Sequence, residues 1–117
     1  MSEDERRAAI SFCFFGDGPV PPDWIDGWWP AHYRPFVEAQ DSTPMEAWWT
    51  AGNAPVLVIQ GLRDRVAPPE NGYDVRALAG SRATVLDLPN ASHAILPEER
   101  EAVEQAVLDF MAGLSGE

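Results

Sequence analysis

Cysteine, basic residues and long hydrophobic runs are all scarce in this 117-residue chain. The single cysteine, Cys13, cannot form a disulfide within the chain, so nothing indicates an oxidising compartment. Only 8 basic residues stand against 19 acidic ones, a formal charge of −11, which argues against a nucleic-acid or anionic-membrane partner. No apolar run reaches the length of a membrane span, and the charged N-terminus lacks the apolar region of a signal peptide. We therefore expect a cytoplasmic protein.

Histidine is scarce too, with two residues in the whole chain. Because His32 has no second histidine at ligand spacing, we expect no metal site and no cofactor, and we interpret His32 as a surface or structural residue. Cys13 lies in an apolar stretch without a cationic neighbour, which favours a packing role over a nucleophilic one. Of the two histidines, His93 is therefore the catalytic candidate.

Residues 54–99 contain two short apolar runs, and each is followed by a loop with one candidate catalytic residue. The run over residues 56–59 is mostly β-branched and has no polar alternation, which predicts a strand buried on both faces. Pro68 and Pro69 begin a predicted helix, and Gly80 with Ser81 ends it. A second strand over residues 84–88 follows directly. The pattern predicts a βαβ unit.

The topology of that unit predicts where its loops lie. The crossover of a βαβ unit is almost always right-handed, so its two strands are parallel and both following loops leave the sheet at one edge. Asp64 lies in the first of these loops and His93 in the second. Catalytic sites of open α/β sheets occupy this carboxyl edge. We therefore expect Asp64 and His93 to belong to one site.

The segments GLRDRVAP (residues 61–68) and LPNASHAILPEE (residues 88–99) resemble the last two strands of an α/β-hydrolase with their acid and histidine loops. The matching positions are Gly61, Asp64, Val66 and Pro68 in the first segment, and His93 with Glu98 or Glu99 in the second. The resemblance implies that Asp64 orients and charge-stabilises the His93 imidazole. It also implies that His93 acts as general base toward a nucleophile and then as acid toward the leaving group. Ser92 stands where the family usually has glycine.

The expected fold class is α/β: the C-terminal part of an α/β-hydrolase sheet, with two parallel strands in a βαβ unit, flanking helices and a Trp-rich cap segment. We predict a helical and irregular cap-like segment over residues 1–53 and a βαβα segment over residues 54–117. The last helix is predicted from about residue 97 to residue 114, with one apolar stripe facing the sheet.

Within the cap-like segment, residues 3–15 predict a helix with one buried side, and a second helix is predicted to start at Thr43 and Pro44. Residues 20–35 are rich in proline, glycine and tryptophan, which predicts irregular structure. By the resemblance, cap aromatics wall a substrate pocket. This assigns Trp24, Trp28 and Trp29 to the pocket, together with Val66, and plain packing of these aromatics remains open.

The family nucleophile is missing from this sequence. None of the six serines lies between glycines at the Gly-x-Ser-x-Gly spacing after an apolar strand. Because the nucleophile precedes the acid and the histidine in this family, we expect the chain to match only the C-terminal part of the domain. Two parallel strands alone leave an edge without a partner, so we expect pairing with a second copy or with a nucleophile-bearing chain.

The sequence thus favours an α/β-hydrolase of an ester or related small-molecule substrate, to which this chain supplies the Asp and His of a Ser-His-Asp type triad. The chain alone is not expected to be active. An alternative is a truncated, non-catalytic binding or assembly module that uses the Trp-rich cap as its contact surface. A third reading is general acid/base chemistry by Asp64 and His93 on a water molecule, without a covalent nucleophile.

Overall fold

A computed structural model describes residues 1–26, 30–44 and 52–114 of the chain. The helices and strands within these ranges are α1 (Glu3–Phe14), α2 (Pro30–Ser42), β1 (Val56–Gly61), α3 (Pro69–Ala79), β2 (Ala83–Leu88), α4 (Ile95–Glu98) and α5 (Arg100–Leu114). Short 3₁₀ turns lie at Pro22–Trp24 and Gly80–Arg82. No helix in the described ranges has the length and apolar character that crossing a membrane requires.

The predicted βαβ unit is confirmed. β1 and β2 pair in parallel, with Val56 opposite Ala83 and Gly61 opposite Leu88, and α3 connects them. Pro69 takes the first helical position of α3, where a missing N–H costs no hydrogen bond. Gly80 ends that helix with a φ of 61°, a conformation that side-chain-bearing residues rarely adopt. The loops after β1 and β2 consequently leave the sheet at the same edge.

The predicted burial of β1 on both faces is wrong for most of the strand. Residues 56–59 are half-buried, and only Gln60 and Gly61 are buried. In the described part of the chain β2 is the only strand that pairs with β1, and the helices α3 and α5 cover it only in part. The apolar side chains of β1 are therefore only partly covered by the part of the chain that the structure describes.

The first half of the chain corrects one further prediction and leaves another largely outside the described residues. Helix α2 begins at Pro30, inside the segment predicted to be irregular, and Pro35 lies within it. Proline suits a helix start, so a Pro-rich stretch does not by itself exclude a helix. The helix predicted from Thr43 falls mostly on residues outside the described ranges, and Thr43 and Pro44 themselves are not helical.

The C-terminal helix is also shorter than predicted. The chain forms α4, breaks at Glu99, and then forms α5. The predicted apolar stripe is only partly buried, because Val103 lies in the core while Val107, Met111 and Leu114 are exposed. Helical spacing predicts which residues share a face, but it does not show how much of that face other elements cover.

The histidine loop, residues 89–94, lies between two small apolar clusters. The first cluster is formed by Ile10, Phe15, Ile25 and Ala94, with Phe14, Val20 and Trp24 packed against it. The second is formed by Leu88, Ala91 and Val103, with Ile59, Leu86, Ile95 and Ala102 packed against it. Because Ala91 and Ala94 each belong to a cluster, the backbone on both sides of His93 is tied to the core.

The approach of the two loops requires a residue without a side chain at position 61. A Cβ atom on Gly61 would lie 2.8 Å from the carbonyl oxygen of Ala91 and closer still to that of Ser92. We expect Gly61→Ala to lower the free energy of unfolding by about 1–3 kcal/mol, as overpacking typically does. Urea unfolding followed by circular dichroism measures this change.

Gly113→Ala in α5 is the control for that prediction. A Cβ atom at Gly113 meets no other atom within 4 Å. Because alanine favours helix over glycine, the midpoint of urea unfolding should stay the same or rise slightly. Equal midpoints for the Gly61 and Gly113 variants would contradict the close approach of the loops.

Candidate functional site

Asp64 is held in a tight turn immediately after β1. Its Oδ1 atom accepts the backbone N–H groups of Val66 and Ala67, each at 2.8 Å. An aspartate that bonds the backbone two and three residues ahead has its carboxylate fixed by the turn itself. The side chain is only 7% exposed. With Oδ1 occupied in this way, Oδ2 remains for a partner across the site.

The side chain of Gln60, in β1, bridges the acid loop, which comprises residues 62–68 between β1 and α3. Its buried side-chain amide donates to the carbonyl oxygens of Gly61, at 3.0 Å, and Ala67, at 3.2 Å. The two bonds join the last residue of β1 to a residue past the turn. Gly72 on α3 leaves room for this amide, since a Cβ atom there would come 2.9 Å from its Oε1 atom.

Backbone hydrogen bonds continue beyond the paired strands and join the acid loop to the histidine loop. The N–H of Leu62 donates to the carbonyl of Leu88 at 3.0 Å, and the N–H of Arg63 donates to that of Ala91 at 2.9 Å. Further along the histidine loop, the N–H of Ala94 donates to the carbonyl of Phe14 at the end of α1, at 2.9 Å. Three segments of the chain therefore meet around His93.

The structure brings Asp64 and His93 together. Nδ1 of His93 lies 2.8 Å from Oδ2 of Asp64, and the imidazole side chain is 33% exposed. The Phe14 ring packs against the imidazole, with a distance of 5.2 Å between ring centroids. Because an ionised carboxylate can only accept, we assign a hydrogen to Nδ1, and in the neutral imidazole Nε2 then has the lone pair. An imidazole held this way can accept a proton at Nε2 while the carboxylate stabilises the resulting charge.

Arg65 joins the acid loop to the end of α1. Its guanidinium lies 2.8 Å from Oδ2 of Asp17 and packs over the Phe12 ring, 4.5 Å from the centroid. Asp17 lies in a turn between Gly16 and Gly18, with a φ of 69°. The hydrogen bond from Arg65 lowers the pKa of the Asp17 carboxyl. The residue next to Asp64 thus anchors the N-terminal segment.

The other predicted site residues lie at different distances from this pair. Trp24 packs against Phe14 and Phe15, with centroid distances of 5.6 and 4.9 Å, so one ring separates it from His93. The Val66 side chain is exposed, and its backbone N–H bonds Asp64. Trp28 and Trp29 lie outside the described residues. A pocket role for these four residues stays a prediction.

A cleft of about 490 Å³ lies near the pair. It is lined by Phe15, Gly16, Gly18, Pro19, Pro21, Arg63, Asn90, Pro97, Glu98 and Glu99. Asp64 and His93 are not among these residues, so the cleft borders the two loops without enclosing the pair. Within residues 1–26, 30–44 and 52–114, no three His, Cys, Asp or Glu side chains are grouped to hold a metal ion.

Sequence reasoning missed the residues that support the pair, namely Phe14, Gln60 and Arg65. Gln60 could have been suspected, since it is a polar residue at the end of an apolar strand. Phe14 and Arg65 offered no such signal, because Phe14 packs on a ring 79 positions later, and the partner of Arg65 lies 48 positions away. Local patterns do not encode contacts of that range.

A comparison with protein families found a match over residues 26–115 to the model described as TAP-like protein, which belongs to the α/β-hydrolases. The matched range covers more than half of the chain and includes both loops. Searches of the curated proteins and of the solved structures found no match. The resemblance inferred from the two loop motifs is confirmed.

The contact between Arg65 and Asp17 should make the stability of the protein depend on pH. Because the pKa of folded Asp17 is lowered, the pair stabilises the protein above the unfolded pKa, and this contribution is lost as the pH falls through the folded pKa. We expect Arg65→Gln to lower the melting temperature at neutral pH, and the difference from the wild type to narrow in acid, where the contact with the Phe12 ring remains to be lost. An NMR titration should show the Asp17 pKa rising toward its ordinary value.

Arg63→Gln is the matched control, since Arg63 is an exposed arginine in the same loop with no bond to Asp17. Its Asp17 titration should equal that of the wild type. An Asp17 pKa that is the same in the Arg65 variant as in the wild type would contradict the assigned cause.

Proposed function

Because the chain belongs to the TAP-like family of α/β-hydrolases, we propose that it supplies the aspartate and histidine of a Ser-His-Asp type triad. The reaction is hydrolysis of an ester or a related small-molecule substrate. The observation that carries this proposal is the 2.8 Å contact between Nδ1 of His93 and Oδ2 of Asp64. It is supported by the two backbone N–H groups that hold the other carboxylate oxygen.

In this mechanism His93 moves a proton twice. Nε2 first accepts the proton of the attacking hydroxyl, and the imidazolium then donates it to the leaving group. Asp64 keeps the hydrogen on Nδ1 and stabilises the positive charge while it exists. The Phe14 ring limits rotation of the imidazole from one side. The remaining exposure of the ring leaves room for a reacting group.

The attacking residue is proposed to come from outside these 117 residues, on a partner chain. Two observations support a partner on the β1 side of the sheet. The apolar strand β1 is only half-buried, whereas β2 carries the exposed polar residues Thr84 and Asp87. A polypeptide that adds a strand beside β1 would cover apolar surface there, while the outer edge of β2 is suited to water.

A non-catalytic binding or assembly module is the competing function. The exposed apolar residues of α5, among them Leu108 and Met111, favour a contact surface whether or not the chain takes part in catalysis. The two functions differ in their use of His93. Catalysis requires it, whereas assembly through exposed apolar surface does not.

The test uses the chain co-expressed with a polypeptide that carries Gly-x-Ser-x-Gly, for which the neighbouring reading frames are the first candidates. In that assembly we expect Asp64→Asn to lower kcat for short p-nitrophenyl esters by roughly 10⁴-fold and His93→Ala by roughly 10⁶-fold. The loss arises because the nucleophile has no correctly oriented base. Steady-state kinetics of the purified assembly measure it.

His32→Ala is the control, since it removes the other histidine of the chain and lies on α2. It should retain the wild-type kcat. An assembly that hydrolyses the ester equally well with His93→Ala would refute the catalytic role and leave the binding module. Hydrolysis by the chain alone that disappears with either substitution would instead support direct activation of water.

A further inference from the structure

Ser92, the residue before His93, is almost completely buried, with 1% of its surface exposed. Its N–H donates to Oε2 of Glu98 at 2.8 Å, and its hydroxyl donates to Oε1 of the same carboxylate. One carboxylate therefore accepts both polar hydrogens of a single residue. Glycine, which the α/β-hydrolase pattern usually has at this position, would provide only the first of these bonds.

The hydroxyl hydrogen of Ser92 has two acceptors within reach. The carbonyl oxygen of Phe14 lies 3.0 Å from Oγ, but it already accepts the N–H of Ala94. A carboxylate is the stronger acceptor, because hydrogen bonds to ionised groups are shorter and stronger than neutral ones. We therefore assign the hydrogen to Glu98.

His93 lies between Ser92 and Ala94, two residues that hydrogen bonds hold in place. Ser92 is held by Glu98 on one side, and Ala94 is held by Phe14 on the other. Loss of the Glu98 carboxylate would leave the buried N–H of Ser92 without its acceptor, which is costly, and would leave the hydroxyl only the Phe14 carbonyl, which already accepts the N–H of Ala94. The loop would have to move to satisfy them, and the imidazole would move with it.

We propose that Glu98 is a positioning residue. By holding Ser92, it fixes the orientation of the His93 imidazole relative to the Asp64 carboxylate. The use of that pair in catalysis rests on the proposed function, whereas the positioning can be measured without any substrate. Glu98 does not touch the imidazole. Its effect passes through one backbone N–H and one hydroxyl.

Glu99 provides a matched comparison on the neighbouring position. Both glutamates are half-buried and line the same cleft. In the described structure the Glu99 carboxylate accepts no hydrogen bond, and the residue is bonded only through its backbone, to Ile95 and Val103. The two residues thus share charge, size and location, and they differ in contact with Ser92.

The experiment compares Glu98→Gln with Glu99→Gln in the isotope-labelled 117-residue chain by NMR. A glutamine at 98 has one oxygen for the Ser92 N–H, whereas its NH₂ group can only donate, so the Ser92 hydroxyl loses the carboxylate as its acceptor and keeps only the Phe14 carbonyl. We expect the His93 Nδ1 hydrogen to exchange with water roughly ten- to a hundredfold faster, the range that corresponds to losing one hydrogen bond to a charged group. Its resonance should also move upfield. Glu99→Gln should leave both unchanged.

If circular dichroism shows that Glu98→Gln does not fold, Ser92→Ala is the variant to test. Ser92→Ala removes the hydroxyl bond to Glu98 and keeps the N–H bond. Nδ1 exchange should then rise in the same direction by a smaller factor. A folded Glu98 or Ser92 variant whose Nδ1 exchange equals that of Glu99→Gln overturns the proposal. Intact positioning together with an inactive assembly would instead count against the proposed function alone.

Discussion

The close approach of two loops at the end of a parallel strand pair is the constraint on which the rest of this structure depends. Gly61 permits it, because any side chain there would meet the carbonyls of the histidine loop. The hydrogen bonds from Leu62 and Arg63 then extend the contact beyond the strands. As a result Asp64 and His93, which are 29 positions apart, come within hydrogen-bonding distance. Backbone packing of the two loops brings the two residues close together, and the hydrogen bond between their side chains then forms.

The support for this pair comes largely from outside the βαβ unit. The end of α1 provides the Phe14 carbonyl and ring for the histidine loop, and Phe12 with Asp17 for Arg65. The exposed ion pair of Arg65 adds little stability by itself, as surface pairs generally do. Together with the cation–π contact and the buried cluster around Ile10, it fixes the position of α1 against both loops. The segment before the sheet is therefore part of the framework of the site.

Local patterns were sufficient to predict the parts of the molecule that depend on local rules. The βαβ unit follows from two apolar runs and a helix, and parallel topology alone places the loops of Asp64 and His93 at one edge. Helix α2 was missed because proline marks helix starts as well as irregular chain. The half-buried state of β1 and of the α5 stripe depends on which elements lie nearby, which no short stretch of sequence records. The same reason applies to Phe14 and Arg65, whose partners are distant in the chain.

The bond from the Ala94 N–H to the Phe14 carbonyl links residues 80 positions apart, and this separation bears on the order of folding. Closing a loop of that length costs conformational entropy before any contact repays it, and contacts of high sequence separation slow folding. During synthesis the acceptor at Phe14 leaves the ribosome well before its donor at Ala94. We infer that the strand–helix–strand unit forms first, and that the imidazole reaches its final position only when the end of α1 packs against the histidine loop.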